Sequence, residues 1–225
     1  MSAGFLLKNK IKALAVSLAF FVVFSILIYA GTLSSATVVA VEKSFYFLVS
    51  ENPHVQAGAY DAVLDGGAGY LLETDARAFV ALSVYLNENE AKRVTSGYGE
   101  SVSVLALKTE KLWFKTREEK RKKKVVESAL KRAYNCMELL ANEIKRLDNG
   151  STQESTKRIL ELIKKQFAFM EREHRENYEA FSKVCKDARK ELERICAGTV
   201  YTKDLRYLLC ALCVSYKELA DEFSL

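Results

Sequence analysis

Phe-Val-Ala-Leu-Ser-Val-Tyr-Leu, residues 79–86, decides how this chain is read. The run is aromatic, aliphatic and β-branched, with neither glycine nor proline, and it suits a strand. Successive strand side chains point to opposite faces. Phe79, Ala81, Ser83 and Tyr85 therefore share one face, and Val80, Leu82, Val84 and Leu86 the other. The aliphatic face is expected to pack on helices. Downstream, Asn87 is placed to cap a short helix through Glu90, Ala91 and Val94 that ends near Gly97 and Gly99. Residues 101–107 alternate again and read as a last strand. Upstream, residues 68–73 form a short strand, with Asp75 and Ala76 in a turn. Ser44–Ser50 (Ser-Phe-Tyr-Phe-Leu-Val-Ser) is a further strand. After it, Asn52-Pro53 supplies an N-cap and a proline at the first helical position. Val55, Ala59, Ala62 and Val63 then recur at helical spacing up to the stop at Gly66-Gly67.

The resulting order is β-α-β-β-α-β. That is the split-βαβ, ferredoxin-like pattern, an α+β arrangement of one four-stranded antiparallel sheet with two helices on one face. The other face is left open for a ligand or for the rest of the chain. The strand faces assign Phe79, Ser83 and Tyr85 to that open side, with Tyr46 and Tyr70 from neighbouring strands. Flat rings with polar tips suit stacking on sugars while hydroxyls bond to them. The plainer alternative is that these tyrosines are a cover for the C-terminal helices.

Within residues 43–108 the local pattern Phe79-Val-Ala-Leu-Ser-Val-Tyr85-Leu-Asn-Glu-Asn-Glu-Ala91 resembles the second half of a SPOR domain. There, too, a strand ends on an aromatic and leads into a helix that opens with acids and an alanine. Ala81 and Ser83 stand where that family usually has glutamine and glycine. The resemblance implies binding to peptidoglycan glycan strands, in cell division or sporulation, through Tyr46, Tyr70, Phe79, Ser83 and Tyr85.

Residues 111–225 read as a helical bundle entered through a junction at residues 111–124. Lys111 is followed by Leu112, Trp113 and Phe114, then by a basic cluster at residues 115–124 interrupted by Glu118 and Glu119. Such a cluster suits anionic lipid or polymer, or is simply the solvated first turns of a long helix. Val126, Leu130, Ala133, Met137, Leu140, Ile144 and Leu147 alternate steps of four and three, a heptad seam. Asp148-Asn149-Gly150 stops this helix, and Ser151-Thr-Gln-Glu154 can form a capping box for the next. That second helix is expected to run unbroken from Leu160 through His174 to Ile195 and to stop at Ala197-Gly198. A third, capped by Thr202, carries Leu205, Leu208, Leu212, Leu219 and Phe223. The expectation is an antiparallel three-helix coiled-coil bundle. The exposed seam of its long middle helix would offer residues 125–223 to a protein partner or a second copy. His174 on the apolar stripe reads as a core or boundary histidine.

The N-terminal part reads as membrane. Residues 13–41 contain no charge, and the centre at residues 18–28 is almost wholly Leu, Ile, Val and Phe. Residues 13–31 suffice for one spanning helix, with residues 32–41 as an interfacial tail. Lys8, Lys10 and Lys12 precede the span, which places the tail of residues 1–12 in the cytoplasm and residues 42–225 outside as a single-pass protein. A cleaved signal peptide is the rival reading, with Ser34-Ser35-Ala36 as the cleavage site, but the apolar core exceeds the usual h-region. The divisions are thus 1–12, 13–41, 43–110 and 111–225. On the outer side nucleic acid is not expected as a partner, and a net charge of +5 demands no acidic one.

The five cysteines, Cys136, Cys185, Cys196, Cys210 and Cys213, are odd in number. Cys210-x-x-Cys213 lies in an apolar helical run, so these read as core thiols rather than a disulfide framework or redox pair. His54 and His174 have no metal-ligand spacing to them. No phosphate loop or nucleophile elbow occurs in the chain, and the carboxylates, as in Glu171-Arg172-Glu173, alternate with cations along helix faces. No enzyme and no cofactor is expected. If the anchor reading is right, a reporter fused after Leu225 is active outside the cytoplasm and the fusion stays in the membrane after carbonate washing. Release of a shortened soluble protein overturns it.

Overall fold

The computed structural model describes residues 37–39, 42–50, 61–62, 65–74, 77–98 and 101–223. In chain order these form strands β1 (Thr37–Val39), β2 (Ser44–Ser50), β3 (Tyr70–Glu73) and β4 (Ala78–Tyr85), then helix α1 (Glu88–Thr95). They continue with β5 (Val102–Lys108), β6 (Leu112–Phe114) and helices α2 (Arg117–Asp148), α3 (Gln153–His174), α4 (Glu179–Ala197) and α5 (Thr202–Asp221). The chain is α+β, with a four-stranded antiparallel sheet in the order β3-β4-β2-β5. The residues expected to span a membrane, 13–31, lie outside the described residues, as do residues 51–60 of the first expected helix. No described helix is long and apolar enough to cross a membrane.

Local signals act where the sequence puts them. Asn87 Oδ1 accepts from the backbone N–H groups of Asn89 and Glu90 and starts α1. Asp61 and Ala62 are helical, and Gly66 ends that turn at φ 81°, where Gly67 N–H donates to Ala62 O at 2.7 Å. Gly150, at φ 87°, does the same after α2. Other caps differ from expectation. A full capping box forms at Thr116 and Glu119, opening α2. At α3 the cap is Thr152, bonded to Ser155 N–H, so the box expected from Ser151 and Glu154 is replaced by a cap one residue later. Thr202 is the first residue of α5 rather than its cap. The turn before it is held by the Gln153 amide, which bonds both the N–H and the carbonyl of Val200 at 2.9 Å.

Two expectations are corrected. Residues 37–39 of the supposed interfacial tail form β1, paired antiparallel with β6 so that Thr37 lies opposite Phe114 and Val39 opposite Leu112. Thr-Val-Val is β-branched and finds a strand edge to complete. The single long middle helix is instead the hairpin of α3 and α4, so the bundle has four helices, not three. The break at residues 175–178 keeps the heptad phase between His174 and Phe181, so periodicity alone does not show it. Tyr178 is buried there, donates its hydroxyl to Leu219 O at 3.1 Å and stacks against Phe181. A straight rod would leave half its apolar stripe in water. Folding back buries both halves, and burial outweighs the few helical bonds lost.

Phe45, Phe47 and Val49 of β2 belong to one hydrophobic cluster with Leu130, Met137 and Leu140 of α2, Phe167 of α3 and Leu209 and Tyr216 of α5. Phe45 meets Tyr216 edge-on at 5.5 Å and Tyr134 at 6.5 Å. The sheet face expected to lie open is thus covered by the bundle. α1 packs on the opposite face over Leu48 and Val102. The cysteines are all free thiols, and all but the half-buried Cys196 are buried, Cys210 and Cys213 fully. Burial raises their pKa, Cys136 to about 11.

Leu140 is wholly buried at the α2 seam. Leu140→Ala is expected to lower unfolding free energy by about 2–5 kcal/mol, measured by urea titration. His174 is 3% exposed, edge-on to Phe181, and neither ring nitrogen is hydrogen-bonded among the described residues. Burial lowers its pKa, Glu173 opposes this and Arg132 adds to it. The unfolded chain then binds more protons than the folded one as pH falls through about 6.5, so this group destabilises the fold progressively below that pH. Melting temperature is expected to drop between pH 7 and pH 5 in the wild type and to drop less in His174→Leu.

Candidate functional site

The pairing of β4 with β2 shifts register: Leu48 lies opposite Ser83, but Val49 lies opposite Ala81. Leu82 is therefore an extra residue on β4, a β-bulge. The bulge divides the face expected from simple alternation. Phe79 and Ala81 pack with the cluster shared with the bundle, whereas Tyr85 packs with Tyr46 and Leu48 on the α1 side. Val84, expected to face α1, is buried in the bundle-side cluster.

Just beyond the bulge, the end of β4 and the start of α1 stand away from α2 and leave a cleft of about 560 Å³. Its apolar walls include Val84, Leu86, Ile144 and Leu209. Tyr85 and Tyr134 contribute rings, and Ser83, Asn87, Glu138, Asn142 and Asn149 contribute polar side chains. Two ion-pair ties close its rim. Lys145 Nζ meets Glu90 Oε2 at 2.7 Å and joins α2 to α1. Arg206 Nη2 meets Asp148 Oδ2 at 2.9 Å while Nη1 donates to Gly66 O at 2.7 Å, joining α5 to α2 and to the turn before β3.

Burial raises the pKa of the Tyr85 hydroxyl, and a hydrogen bond with Ser83 pulls the other way. Burial also raises that of Tyr134, with the Glu138 carboxylate adding to it. Both phenols are protonated at neutral pH and can donate. The Lys43 ammonium sits 3.6 Å from the centre of the Tyr134 ring. None of the lining residues is a histidine or cysteine, and no group of metal-ligating side chains occurs among the described residues. The cleft is lined by two tyrosines, amide and carboxylate side chains, and a guanidinium already paired with Asp148.

Of the residues expected to form one site, Ser83 and Tyr85 line this cleft. Tyr46 is the cross-strand partner of Tyr85. Tyr70 lies elsewhere, edge-on to Tyr207 of α5 at 5.2 Å, with its pKa pushed up to about 12 mainly by burial. Phe79 pairs across β3 with Leu72 and packs toward the bundle. The contribution of α2 was missed. Tyr134, Glu138, Ala141, Lys145 and Asp148 recur at steps of four, three, four and three, a half-polar stripe beside the seam. That stripe is visible in the sequence once a purely solvated helix face is no longer assumed. Glu171, one of the carboxylates that alternate with cations along a helix face, is buried and pairs with Arg189 at 2.9 Å across α3 and α4.

No protein-family model, curated protein or solved structure matches the chain.

Proposed function

We propose that this chain is a non-enzymatic, membrane-anchored cell-envelope protein that binds peptidoglycan glycan in the cleft beside Tyr85. The observation that carries the reading is the cleft itself, where two half-buried tyrosines stand among Asn142, Glu138, Asn149 and Arg206. Saccharide sites combine ring stacking with polar groups that bond to hydroxyls. The strand order supports the ferredoxin-like reading, because β4 lies between β3 and β2, and β2 lies between β4 and β5. The resemblance to a SPOR domain supports the ligand class. Because α5 lies over the sheet, the ligand is assigned to the cleft and not to the sheet face. The uncharged run of residues 13–31 after three lysines supports an anchor with the folded body outside.

A second reading, an assembly protein with no glycan ligand, is favoured by Leu139, Leu162 and Phe169. These large apolar side chains on α2 and α3 are 48%, 57% and 48% exposed. Such exposure suits a protein partner or a second copy.

Purified protein mixed with peptidoglycan sacculi and pelleted separates the two. Wild type is expected to sediment with sacculi. Tyr85→Ala and Asn142→Ala are expected to stay in the supernatant while melting within a few degrees of wild type. No sacculus binding by wild type, together with self-association abolished by Leu162→Glu and Phe169→Glu, establishes the second reading in its place.

A further inference from the structure

The pairing of β1 with β6 has a consequence for the basic cluster. β1 begins at Thr37, and six peptide steps from Gly31, the end of the expected spanning helix, reach at most about 20 Å. β6 runs antiparallel to β1 and finishes with Phe114 opposite Thr37. The chain therefore travels back toward the end of the anchor before α2 starts at Arg117. The cationic stretch Lys-Arg-Lys-Lys-Lys, residues 120–124, occupies the first two turns of α2.

Of the cations on these turns only Arg117 and Lys120 lie in the first turn, where the helix's own field opposes them. The N-terminal end of a helix carries partial positive charge and favours acids. The two acids present are already engaged: Glu119 in the capping box, and Glu118 with Lys122 at 3.4 Å. Arg117, Lys120, Arg121, Lys123 and Lys124 have no acid within ion-pair distance among the described residues. Cations gathered on two turns without matching acids point to an anionic partner outside the chain. A second observation lies on β6. Leu112 and Phe114 are wholly buried, so strand alternation turns Trp113 the other way, where it is partly buried and keeps some exposure. It is the chain's single tryptophan. Tryptophan beside lysine and arginine is the side-chain chemistry of the bilayer interface.

We propose that the first two turns of α2, with Trp113, dock on anionic phospholipid headgroups of the leaflet from which the folded body emerges. The anchor then acts as a tether, and the basic face sets the orientation of the bundle and its cleft against the membrane. The inference rests on reading residues 13–31 as an anchor.

The test reconstitutes the full chain into vesicles of phosphatidylcholine, with or without phosphatidylglycerol, some carrying brominated acyl chains. Trp113 fluorescence reports directly, because no other tryptophan contributes. Brominated lipid is expected to quench Trp113 in the phosphatidylglycerol vesicles, and high salt is expected to relieve this by screening. In a variant with Lys120, Arg121, Lys123 and Lys124 changed to Gln, quenching is expected to fall to the level in neutral vesicles, with an unchanged circular-dichroism melt. Equal quenching in both lipids, unaffected by the variant, overturns the proposal. So does soluble polyphosphate protecting Trp113 from acrylamide quenching in neutral vesicles, because it assigns the cations to an anionic polymer. Flotation separates failure of the anchor. A chain that floats only with phosphatidylglycerol vesicles has the basic surface without the anchor, and one that floats with both but shows no lipid-dependent quenching has the anchor without the surface.

Discussion

The contact on which the structure depends is the burial of one sheet face against α5 and α2. Phe45, Phe47 and Val49 would otherwise expose a broad apolar surface, and a four-stranded sheet cannot leave that in water. Phe45, Tyr134 and Tyr216 form a triangle of rings, so sheet and bundle share a single cluster. A ligand for this face would have to displace the protein's own core.

That packing also creates the cleft. The bulge at Leu82 turns the end of β4, so that Val84 enters the shared core while Ser83 and Tyr85 remain beside α1. α1 is carried away from α2 by its own packing on Leu48 and Val102. At the rim Lys145–Glu90 ties α2 to α1, and Arg206–Asp148 ties α5 to α2. Such partly exposed pairs add little stability. Their effect is geometric, since they hold three elements at one opening.

The hairpin of α3 and α4 follows a similar logic. Ser182 Oγ donates to Glu171 O at 2.8 Å, and the Glu171 carboxylate meets Arg189. A buried ion pair seldom stabilises more than a hydrophobic pair would, but losing one partner strands a charge. At the bend His174 meets Phe181 across the hairpin, and Tyr178 ties the hairpin to the end of α5 through Leu219.

By itself the sequence determined the local elements. Ser44–Ser50, the strand near residues 79–86, the Asn87 cap, the α2 seam from Val126 to Ile144 and the stops at Gly150 and Gly198 all follow from period, caps and turn residues within a few positions of each other. It also named Ser83 and Tyr85. Only the tertiary structure decided which way side chains turn beyond the bulge, where the 45-residue helical pattern folds back, and that β1 completes a ribbon with a strand more than 70 residues away. It alone brought Tyr134 and Arg206 to Tyr85. The physical reason is that periodicity is a short-range property. A heptad phase survives a bend, and strand alternation gives no sign of an extra residue. Both are settled by which distant apolar surface offers the larger burial.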